Sequence, residues 1–428
     1  MQPEDITRFN PWWTTGKVQR ELTPAYKRRV FKMIEGWLKY RQIVLIYGLR
    51  RTGKTTLMYQ TIEKLLSMQI LAKNIMYFSF DEIVFDINEV LETYQKIILN
   101  STFDKVSDRL YIFLDEVQKV DDWANKVKVY YDLYPNIKFF ISGSASVLLS
   151  RKGKESLAGR IMSIKLDPLE FTEFLELNHI NVKNVKENPD LWKRQVLPLF
   201  YRYMKYGTFP ELATEQDENI AKNYISDTVI DRVIYRDIAS DFGIRDIELL
   251  KQLIYIIAKR PGQIVNFKEI AKNLGRDERT VANYFELLEY ALIIKFIFNY
   301  RGSPVASMRK SKKVYLSTPN IAYALHPITS EILPYLLENL VVMSFNPKYF
   351  YRNGFEVDMI LEDEDSLICF EIKKGKKEER QLRKFQSLQM SKKVKGCIIT
   401  AEEEGRGSIP VVPAWKLLLD KESYLGSF

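Results

Sequence analysis

The sequence predicts an α/β protein of several domains. At 428 residues the chain is longer than one ordinary hydrophobic core supports, because cores stop growing at roughly 250–300 residues. In the first 165 residues, short apolar runs alternate with amphipathic helical patterns, which is typical of a parallel sheet covered by helices. Apolar residues make up 46% and charged residues 28% of the chain, as in ordinary globular proteins.

Composition narrows the classes of partner and site. No run reaches the roughly 18–20 apolar residues that a membrane span needs, and the start MQPEDITRFN is acidic and lacks a secretory pattern, so we expect a cytoplasmic protein without a membrane partner. Cys369, Cys397, His179 and His326 are the only cysteines and histidines. Any metal should therefore have oxygen ligands. The net charge of +9 favours a polyanionic partner, with nucleic acid first, although basic runs also occur as solvated surfaces.

The segment RQIVLIYGLRRTGKTTLMYQTIEKLL predicts a nucleotide site. It contains G-x-x-x-x-G-K-T between an apolar strand pattern and a helical pattern. In such a loop, backbone N–H groups surround phosphates, Lys54 reaches the β and γ phosphates, and Thr55 binds Mg²⁺. The predicted ATP-binding residues are Gly48, Arg50, Arg51, Thr52, Gly53, Lys54, Thr55, Thr56 and, from a later strand, Ser144.

Two further apolar runs end in polar residues. RLYIFLDEV delivers Asp115 and Glu116 to the carboxyl edge of a parallel sheet. We predict that Asp115 binds Mg²⁺ and that Glu116 orients or deprotonates the attacking water; a helix N-cap with a solvated neighbour is the alternative. The run IKFFISGSAS brings Ser142 or Ser144 towards the γ-phosphate, unless it is a plain exit from a strand.

These motifs carry a resemblance. GLRRTGKTT, IFLDEVQKVDDW, ISGSAS and SLAGRIMSIKLDPLEFTEFL are similar to prokaryotic (archaeal and bacterial) AAA-type P-loop ATPases related to the STAND branch, over roughly residues 26–240. The sequence has no second G-x-x-x-x-G-K-T, which predicts one nucleotide site, and residues 166–240 are helical by pattern, which suits a lid after the sheet. The resemblance implies that Arg160 is a charge-sensing, catalytic arginine near the γ-phosphate, alongside Lys54 and Glu116. A buried Arg160 paired with Glu170 or Asp167 is the alternative.

Residues 246–300 read as helix, helix, turn, helix and strand, which predicts a winged helix. Its third helical pattern, DERTVANYFELLEYA, starts at Asp277. Base or phosphate contacts are predicted for Arg276, Arg279 and Asn283, and phosphate contacts with duplex DNA for Lys295, Arg301, Arg309 and Lys310. An interdomain adaptor is the alternative use of such a fold.

FEVDMILEDEDSLICFEIKKG predicts a β-hairpin with an unusual polar face. If it turns between Glu364 and Asp365, Asp358 lies opposite Glu371, and Lys373 shares their face. Opposed carboxylates repel each other unless a cation lies between them, so a second divalent metal, Mg²⁺ or Mn²⁺, is expected here.

The D-(x)n-E-x-K pattern is typical of the restriction-endonuclease-like fold, and an upstream acid, Glu338, completes the predicted nuclease site of Glu338, Asp358, Glu371 and Lys373. Residues 303–428 resemble the C-terminal domain of unknown function that accompanies these ATPases. Cleavage of nucleic acid and a degenerate, binding-only domain both remain open.

Together, these patterns predict five parts: an N-terminal arm (1–25), a P-loop ATPase core (26–165), a helical lid (166–240), a winged helix (241–302) and an α/β nuclease-like domain (303–428). The function they favour is a Mg²⁺-dependent ATPase that couples nucleotide state to the binding or processing of nucleic acid. The alternative is a signalling switch or scaffold with slow turnover, in which the C-terminal domain binds protein. A homo-oligomer is compatible with both.

Overall fold

A computed structural model describes residues 1–81, 85–144, 157–244, 246–308, 311–326, 331–372, 379–388, 392–405 and 407–427, except for the side chains of residues 240, 241 and 427. The described residues form two compact units, Met1–Asp167 and Pro168–Phe428. No helix in these ranges is both long enough and apolar enough to cross a membrane.

The first unit is built on a parallel sheet. Its described strands are β1 (Ile43–Tyr47), β2 (Ile75–Ser79), β3 (Leu110–Asp115), β4 (Ile137–Gly143) and β5 (Ile161–Lys165), in the order β2-β3-β4-β1-β5. All neighbouring strands in that order pair in parallel. The helices are α1 (Pro3–Thr7), α2 (Trp12–Thr15), α3 (Phe31–Trp37), α4 (Lys54–Ser67), α5 (Ile87–Thr93) and α6 (Trp123–Leu133), with a π-helical turn at Tyr94–Leu99. The predicted parallel sheet is confirmed.

Strand β3 shows why these runs form central strands. All of its residues are buried, and alternate side chains enter two cores on opposite faces of the sheet. Ile112 and Leu114 belong to one core, whereas Tyr111 and Phe113 belong to the other. A strand that is buried on both faces must be apolar at every position, which explains the continuous run.

The N-terminal arm packs on this sheet through two tryptophans. Trp12 is fully buried, and its indole N–H donates to the carbonyl of Ile75 at 3.0 Å. Trp13 donates to the same carbonyl at 2.8 Å and stacks on Tyr94. Both indoles therefore combine apolar burial with a satisfied N–H group.

The second unit begins with helices and continues into a mixed sheet. Its helices are α7 (Phe171–Leu177), α8 (Val182–Glu187), α9 (Pro189–Lys205), α10 (Glu218–Tyr224), α11 (Ala239–Phe242), α12 (Ile247–Lys259), α13 (Phe267–Leu274), α14 (Glu278–Tyr290), α15 (Pro304–Met308), α16 (Pro319–Leu325), α17 (Leu333–Phe345), α18 (Arg380–Gln386), α19 (Ala414–Leu419) and α20 (Lys421–Ser427). Two π-helical turns, Ile225–Ile230 and Val233–Ile238, lie between α10 and α11.

In the described residues of this unit, one sheet has the order β13-β12-β11-β10-β9-β7-β8-β6. Its strands are β6 (Gln263–Ile264), β7 (Ile294–Asn299), β8 (Lys312–Leu316), β9 (Tyr349–Arg352), β10 (Glu356–Glu362), β11 (Ser366–Ile372), β12 (Lys393–Thr400) and β13 (Val411–Pro413). Strand β7 pairs in parallel with β9. Hydrogen bonds therefore join the segments before and after residue 302, the predicted end of the winged helix.

The helices and the strand predicted for residues 246–300 occur in the predicted order as α12, α13, α14 and β7. The carboxylate of Asp277 caps α14 by accepting from the N–H groups of Arg279 and Thr280. Gly275 ends α13 in the left-handed conformation, with φ at 62°. These local predictions are confirmed, whereas the assignment of the segment as a winged helix stays a prediction.

Candidate functional site

The loop between β1 and α4 has the backbone that a phosphate cradle requires. Gly53, at the start of α4, has φ at 96°, and Arg51 is also left-handed with φ at 64°. A Cβ added to Gly48 would lie 2.3 Å from the carbonyl oxygen of Leu166, a contact that backbone atoms cannot absorb. Glycine is therefore needed at position 48 for close approach between two backbones.

Lys54 reaches back across this loop. Its Nζ donates to the carbonyl oxygens of Gly48 at 3.2 Å and Leu49 at 3.3 Å, and the side chain is buried. The hydroxyl of Thr52 also donates to Leu49 O, at 2.8 Å, and the Arg28 guanidinium donates to Thr52 O at 3.1 Å. The loop is thus held closed around an ammonium group that can turn to phosphate oxygens.

Asp115 lies at the centre of the site. Its Oδ2 accepts from the Thr55 hydroxyl at 2.7 Å and from the Tyr77 hydroxyl at 2.7 Å, and its Oδ1 accepts from the Ser142 hydroxyl. Strand β4 lies between β1 and β3, which places Ser142 beside Asp115. Burial, together with the charge of Glu116, raises the pKa of Asp115 to about 6.

Glu116 follows Asp115 in the chain, but its pKa is shifted in the opposite direction. Burial alone would raise its pKa, yet the positive charges of Lys54 and Arg50 outweigh burial and hold the pKa below its usual range. Its Oε2 accepts from Gln118 Nε2 at 2.5 Å, and its φ is 55°, which is uncommon for a residue with a side chain. Above pH 7 both carboxyls are mainly ionised, which suits a metal ligand and a group that orients water.

The donor set fits Mg²⁺ bound to a nucleotide. Thr55 supplies a hydroxyl and Asp115 a carboxylate, and Mg²⁺ in such sites takes one or two protein oxygens plus phosphate oxygens and water. Arg50 and Ser144 are both buried, at 9% and 7% exposure, while Thr56 is half-buried. The P-loop residues, Asp115 and Glu116 are therefore brought together, and Ser144 follows directly after β4.

Arg160 is not part of this group. Its guanidinium makes two bonds to the carboxylate of Asp132, at 2.9 and 3.2 Å, and its carbonyl accepts from Ile43 N. Arg160 precedes β5, so it lies at the amino-terminal edge of the sheet, about five residues or roughly 16 Å of strand from the P-loop edge. The predicted contact between Arg160 and a γ-phosphate is therefore wrong within one chain.

Tyr77 was not identified from the sequence. It stands inside the apolar run IMYFS, where an aromatic residue reads as core, and it is indeed buried. Its role appears only when β2 pairs with β3 and the hydroxyl meets Asp115. A tyrosine two residues before the end of a strand that neighbours β3 was the available signal.

The predicted nucleic-acid contacts divide into two groups. Arg276, Arg279 and Asn283 are exposed around the start of α14, and Arg276 pairs with Asp246 at 3.0 Å. Lys295 instead donates to Asn346 and Pro347, and Arg301 to the carbonyl of Arg352 at 3.0 Å. The remaining two predicted contacts, Arg309 and Lys310, lie outside the described residues.

The hairpin is formed by β10 and β11 with the predicted register. Met359 pairs with Phe370 and Ile360 with Cys369, which sets Asp358 opposite Glu371. Both carboxylates are buried, and Asp358 Oδ2 accepts from Ile372 N at 2.9 Å. The register is confirmed, whereas Lys373 falls outside the described residues.

An unpredicted lysine lies among these acids. Lys313 Nζ, from β8, is 3.1 Å from Glu338 Oε1, 2.8 Å from Glu356 Oε1 and 3.4 Å from Asp358 Oδ1. Burial alone would lower its pKa, but Tyr315 and the three carboxylates outweigh burial and raise it. Lys313, Glu338, Glu356 and Asp358 together form a cluster that we call the ion centre.

A second divalent metal does not fit the ion centre as it is built. The carboxylates converge on an ammonium group rather than on an open position. Across the described ranges, no group of three or more histidine, cysteine, aspartate and glutamate side chains is arranged to hold a metal ion. The second metal expected from the hairpin is thus unsupported.

Three protein families match parts of the chain. Residues 40–175 match an AAA domain family, and residues 197–332 and 335–417 match two families described as domains of unknown function, DUF8612 and DUF4143. Among solved structures, the chain is similar to the Walker-type ATPase paby2304 of Pyrococcus abyssi, at 16% identity and a TM-score of 0.44, covering 72% of this chain and 97% of that one.

Among curated relatives, "Uncharacterized protein MJ1544" of Methanocaldococcus jannaschii is 30% identical over 413 residues, which is 88% of each chain. An uncharacterized protein of Haemophilus influenzae is 29% identical over 327 residues, covering 74% of this chain and 76% of that protein. The chain therefore belongs to the family of the archaeal protein MJ1544, and its first part is an AAA-type P-loop ATPase domain.

Proposed function

We propose that the protein is a Mg²⁺-dependent ATPase whose nucleotide state controls nucleic-acid binding by the second unit. The observation that carries the first half of this proposal is the hydrogen bond, 2.7 Å long, between Thr55 of the P-loop and Asp115. It joins the two oxygen ligands that Mg²⁺–ATP requires, next to a glutamate whose pKa is held low.

The chain's own groups have distinct tasks in this reaction. Lys54 turns from the carbonyls of Gly48 and Leu49 to phosphate oxygens, which places positive charge beside the transferred group. Thr55 and Asp115 would hold Mg²⁺, which neutralises phosphate charge when bound. Glu116 orients the water and accepts its proton, because its carboxylate is ionised at neutral pH.

Two substitutions test the hydrolytic step. Lys54→Ala should abolish turnover, because it removes the cation that stabilises the transition state. Glu116→Gln should retain ATP and fail to hydrolyse it, and a matched exposed control, Glu92→Gln, should behave as wild type. Labelled ATP and ADP retained on the protein are measured after gel filtration. Hydrolysis that survives in both P-loop-site variants would refute the assignment.

The nucleic-acid half of the proposal is supported by the exposed start of α14 and by the net charge of +9. Arg279 and Asn283 are one helical turn apart and face solvent, as contacts to a duplex require. We expect affinity for duplex DNA to fall steeply with salt, and Arg279→Ala to reduce the slope of log affinity against log salt by about 1.

Fluorescence anisotropy of labelled duplex DNA measures both quantities, and Lys17→Ala, an exposed change in the first unit, serves as the control. Affinity that does not depend on salt would contradict DNA binding.

That outcome would favour the second candidate, a nucleotide-operated switch or scaffold that binds protein. One observation favours it already: Lys295 and Arg301, both half-exposed, make hydrogen bonds to Asn346, Pro347 and Arg352. Such contacts suit a segment that works as an adaptor within the chain. Slow ATP turnover without DNA binding is the expected behaviour under this candidate.

A further inference from the structure

We propose that the ammonium group of Lys313 takes the place of a divalent metal at the C-terminal carboxylates, so that this domain does not cleave nucleic acid by a metal-dependent reaction. The inference deepens the proposed function, since it assigns binding without cleavage to the second unit, and it does not depend on ATP hydrolysis. It rests on the geometry of the ion centre, the burial of Lys313 and Asp358, and the charge of the three carboxylates.

The geometry brings three carboxylates to one cation, the ammonium group of Lys313. Three carboxylates from α17 and β10 lie 2.8–3.4 Å from a single nitrogen. A metal ion in this position would need oxygens at about 2.0–2.6 Å, inside the volume of the ammonium group. Metal binding would therefore require Lys313 to leave.

The carboxylate oxygens are also engaged elsewhere. Glu338 Oε1 accepts a second hydrogen bond from the Tyr315 hydroxyl at 2.6 Å, and Asp358 Oδ2 accepts from the backbone N–H of Ile372 at 2.9 Å. These bonds fix the two side chains in the orientation that serves Lys313. A buried ammonium with several oriented acceptors is well satisfied, as a buried charge must be.

A backbone turn packs against one side of the ion centre. Gly262 has φ at 86°, and a Cβ added to it would lie 2.7 Å from Glu338 Oε1 and 3.0 Å from the Tyr315 ring. Its N–H donates to Val314 O at 2.8 Å, which pins the turn to β8. The side chains of Lys313 and Asp358 are only 3% and 6% exposed, whereas those of Glu338 and Glu356 are 15% and 33% exposed. A hydrolytic metal site needs an open position for water and substrate, whereas the buried end of the ion centre is occupied by the ammonium group of Lys313.

The charge of the ion centre explains why a cation is required at all. Without Lys313, the buried Asp358 and the partly buried Glu338 and Glu356 would converge, and the exposed Arg352 lies 3.7 Å from Glu356. Uncompensated buried charges are strongly destabilising. Lys313 therefore neutralises these carboxylates, a role for which the hairpin pattern alone suggests a metal.

The decisive measurement is Mn²⁺ binding to the full-length chain without nucleotide, by electron paramagnetic resonance. All samples carry Asp115→Asn to remove the P-loop ligand. With Lys313 intact, we expect the amount of bound Mn²⁺ to be the same with and without Asp358→Asn. Lys313→Met should gain about one Mn²⁺ per chain, and adding Asp358→Asn should abolish the gain. The neighbouring change Lys312→Met is the control and should gain none.

Stability provides an independent readout. Lys313→Met should lower the melting temperature, and Mn²⁺ should restore part of the loss in this variant but not in the chain with Lys313 intact. If Lys313→Met does not fold, the intact chain decides alone: a Mn²⁺ site sensitive to Asp358→Asn overturns the inference, and its absence upholds it.

A cleavage assay completes the test. Labelled single-stranded, duplex and branched DNAs with Mg²⁺ or Mn²⁺ should remain uncut, and cutting lost in Asp358→Ala would also overturn the inference. ATP hydrolysis and DNA affinity are measured separately on wild-type protein. If either activity is absent there, the proposed function fails, whatever the Mn²⁺ and cleavage experiments show.

Discussion

Asp115→Asn should stabilise the nucleotide-free protein while destroying its activity. The carboxylate is buried and stands beside Glu116, and its pKa is raised from the usual 3.8 to about 6. Above pH 6 the folded protein therefore contains an ionised group in a place that favours the neutral form. An asparagine has nearly the same shape and no charge, so it removes that cost.

The magnitude follows from the pKa. A rise of about two pH units, at about 1.4 kcal/mol per unit, corresponds to an upper limit of about 3 kcal/mol. Because the folded-state pKa is raised, the carboxyl group favours folding below pH 4, and this contribution is lost as pH rises through about 6. The advantage of asparagine should thus be full above pH 6 and absent below pH 4.

The assay is thermal unfolding of both proteins in EDTA at pH 7.5 and at pH 4. For a unit of this size, 3 kcal/mol corresponds to roughly 6–12 °C at pH 7.5. Asp121→Asn, an exposed change that follows the same strand, is the matched control and should shift little. Mg²⁺–ATP should raise the melting temperature of wild type but not of Asp115→Asn, because the metal ligand is missing.

A melting temperature for Asp115→Asn below that of wild type at pH 7.5 would refute the reasoning. A difference of the same size at both pH values would refute it equally, since charge would then not be the cause.

Two more predictions concern the same site. Gly48→Ala should lower the free energy of unfolding by about 1–3 kcal/mol and prevent ATP binding, because the added Cβ would lie 2.3 Å from a backbone oxygen. The control is Gly36→Ala, in helix α3 with open space around it, which should be neutral or slightly stabilising. Equal melting temperatures for the two variants would contradict the predicted clash at Gly48. Tyr77→Phe removes a donor to Asp115, which we expect to raise the Mg²⁺ concentration for half-maximal ATPase activity about 2- to 10-fold. Tyr94→Phe, whose hydroxyl binds a backbone carbonyl instead, is its control, and an unchanged Mg²⁺ dependence in Tyr77→Phe would count against a role in metal binding.

Much of the first site could be predicted because its determinants are local. The P-loop specifies its own backbone through glycines at 48 and 53, and an apolar run before Asp115 indicates a strand whose end reaches the same edge of the sheet. The hairpin register was equally accessible, since alternation and turn position together determine which residues face each other.

The failures have a common physical origin in long-range arrangement. The sequence predicts Arg160 near the nucleotide because the segment around Arg160 does not reveal the direction of the following strand, and that direction determines the edge of the sheet at which Arg160 lies. Lys313 was missed because it is 45 residues from Asp358, and β9 and β7 separate their strands in the sheet. The sequence contains no periodic pattern that predicts either the position of Arg160 relative to the P-loop or the contact between Lys313 and Asp358.

The shared sheet of the second unit has a consequence for how this protein can be divided or inherited. The sequence families meet between residues 332 and 335, and the predicted domain border falls at 302, yet β7 and β9 are hydrogen-bonded across both positions. A fragment that begins at 303 would carry β9 with a bare edge, which invites association with other chains. Recombination between relatives at this border would also separate β7 from β9. We therefore expect the segments before and after residues 332–335 to be inherited together.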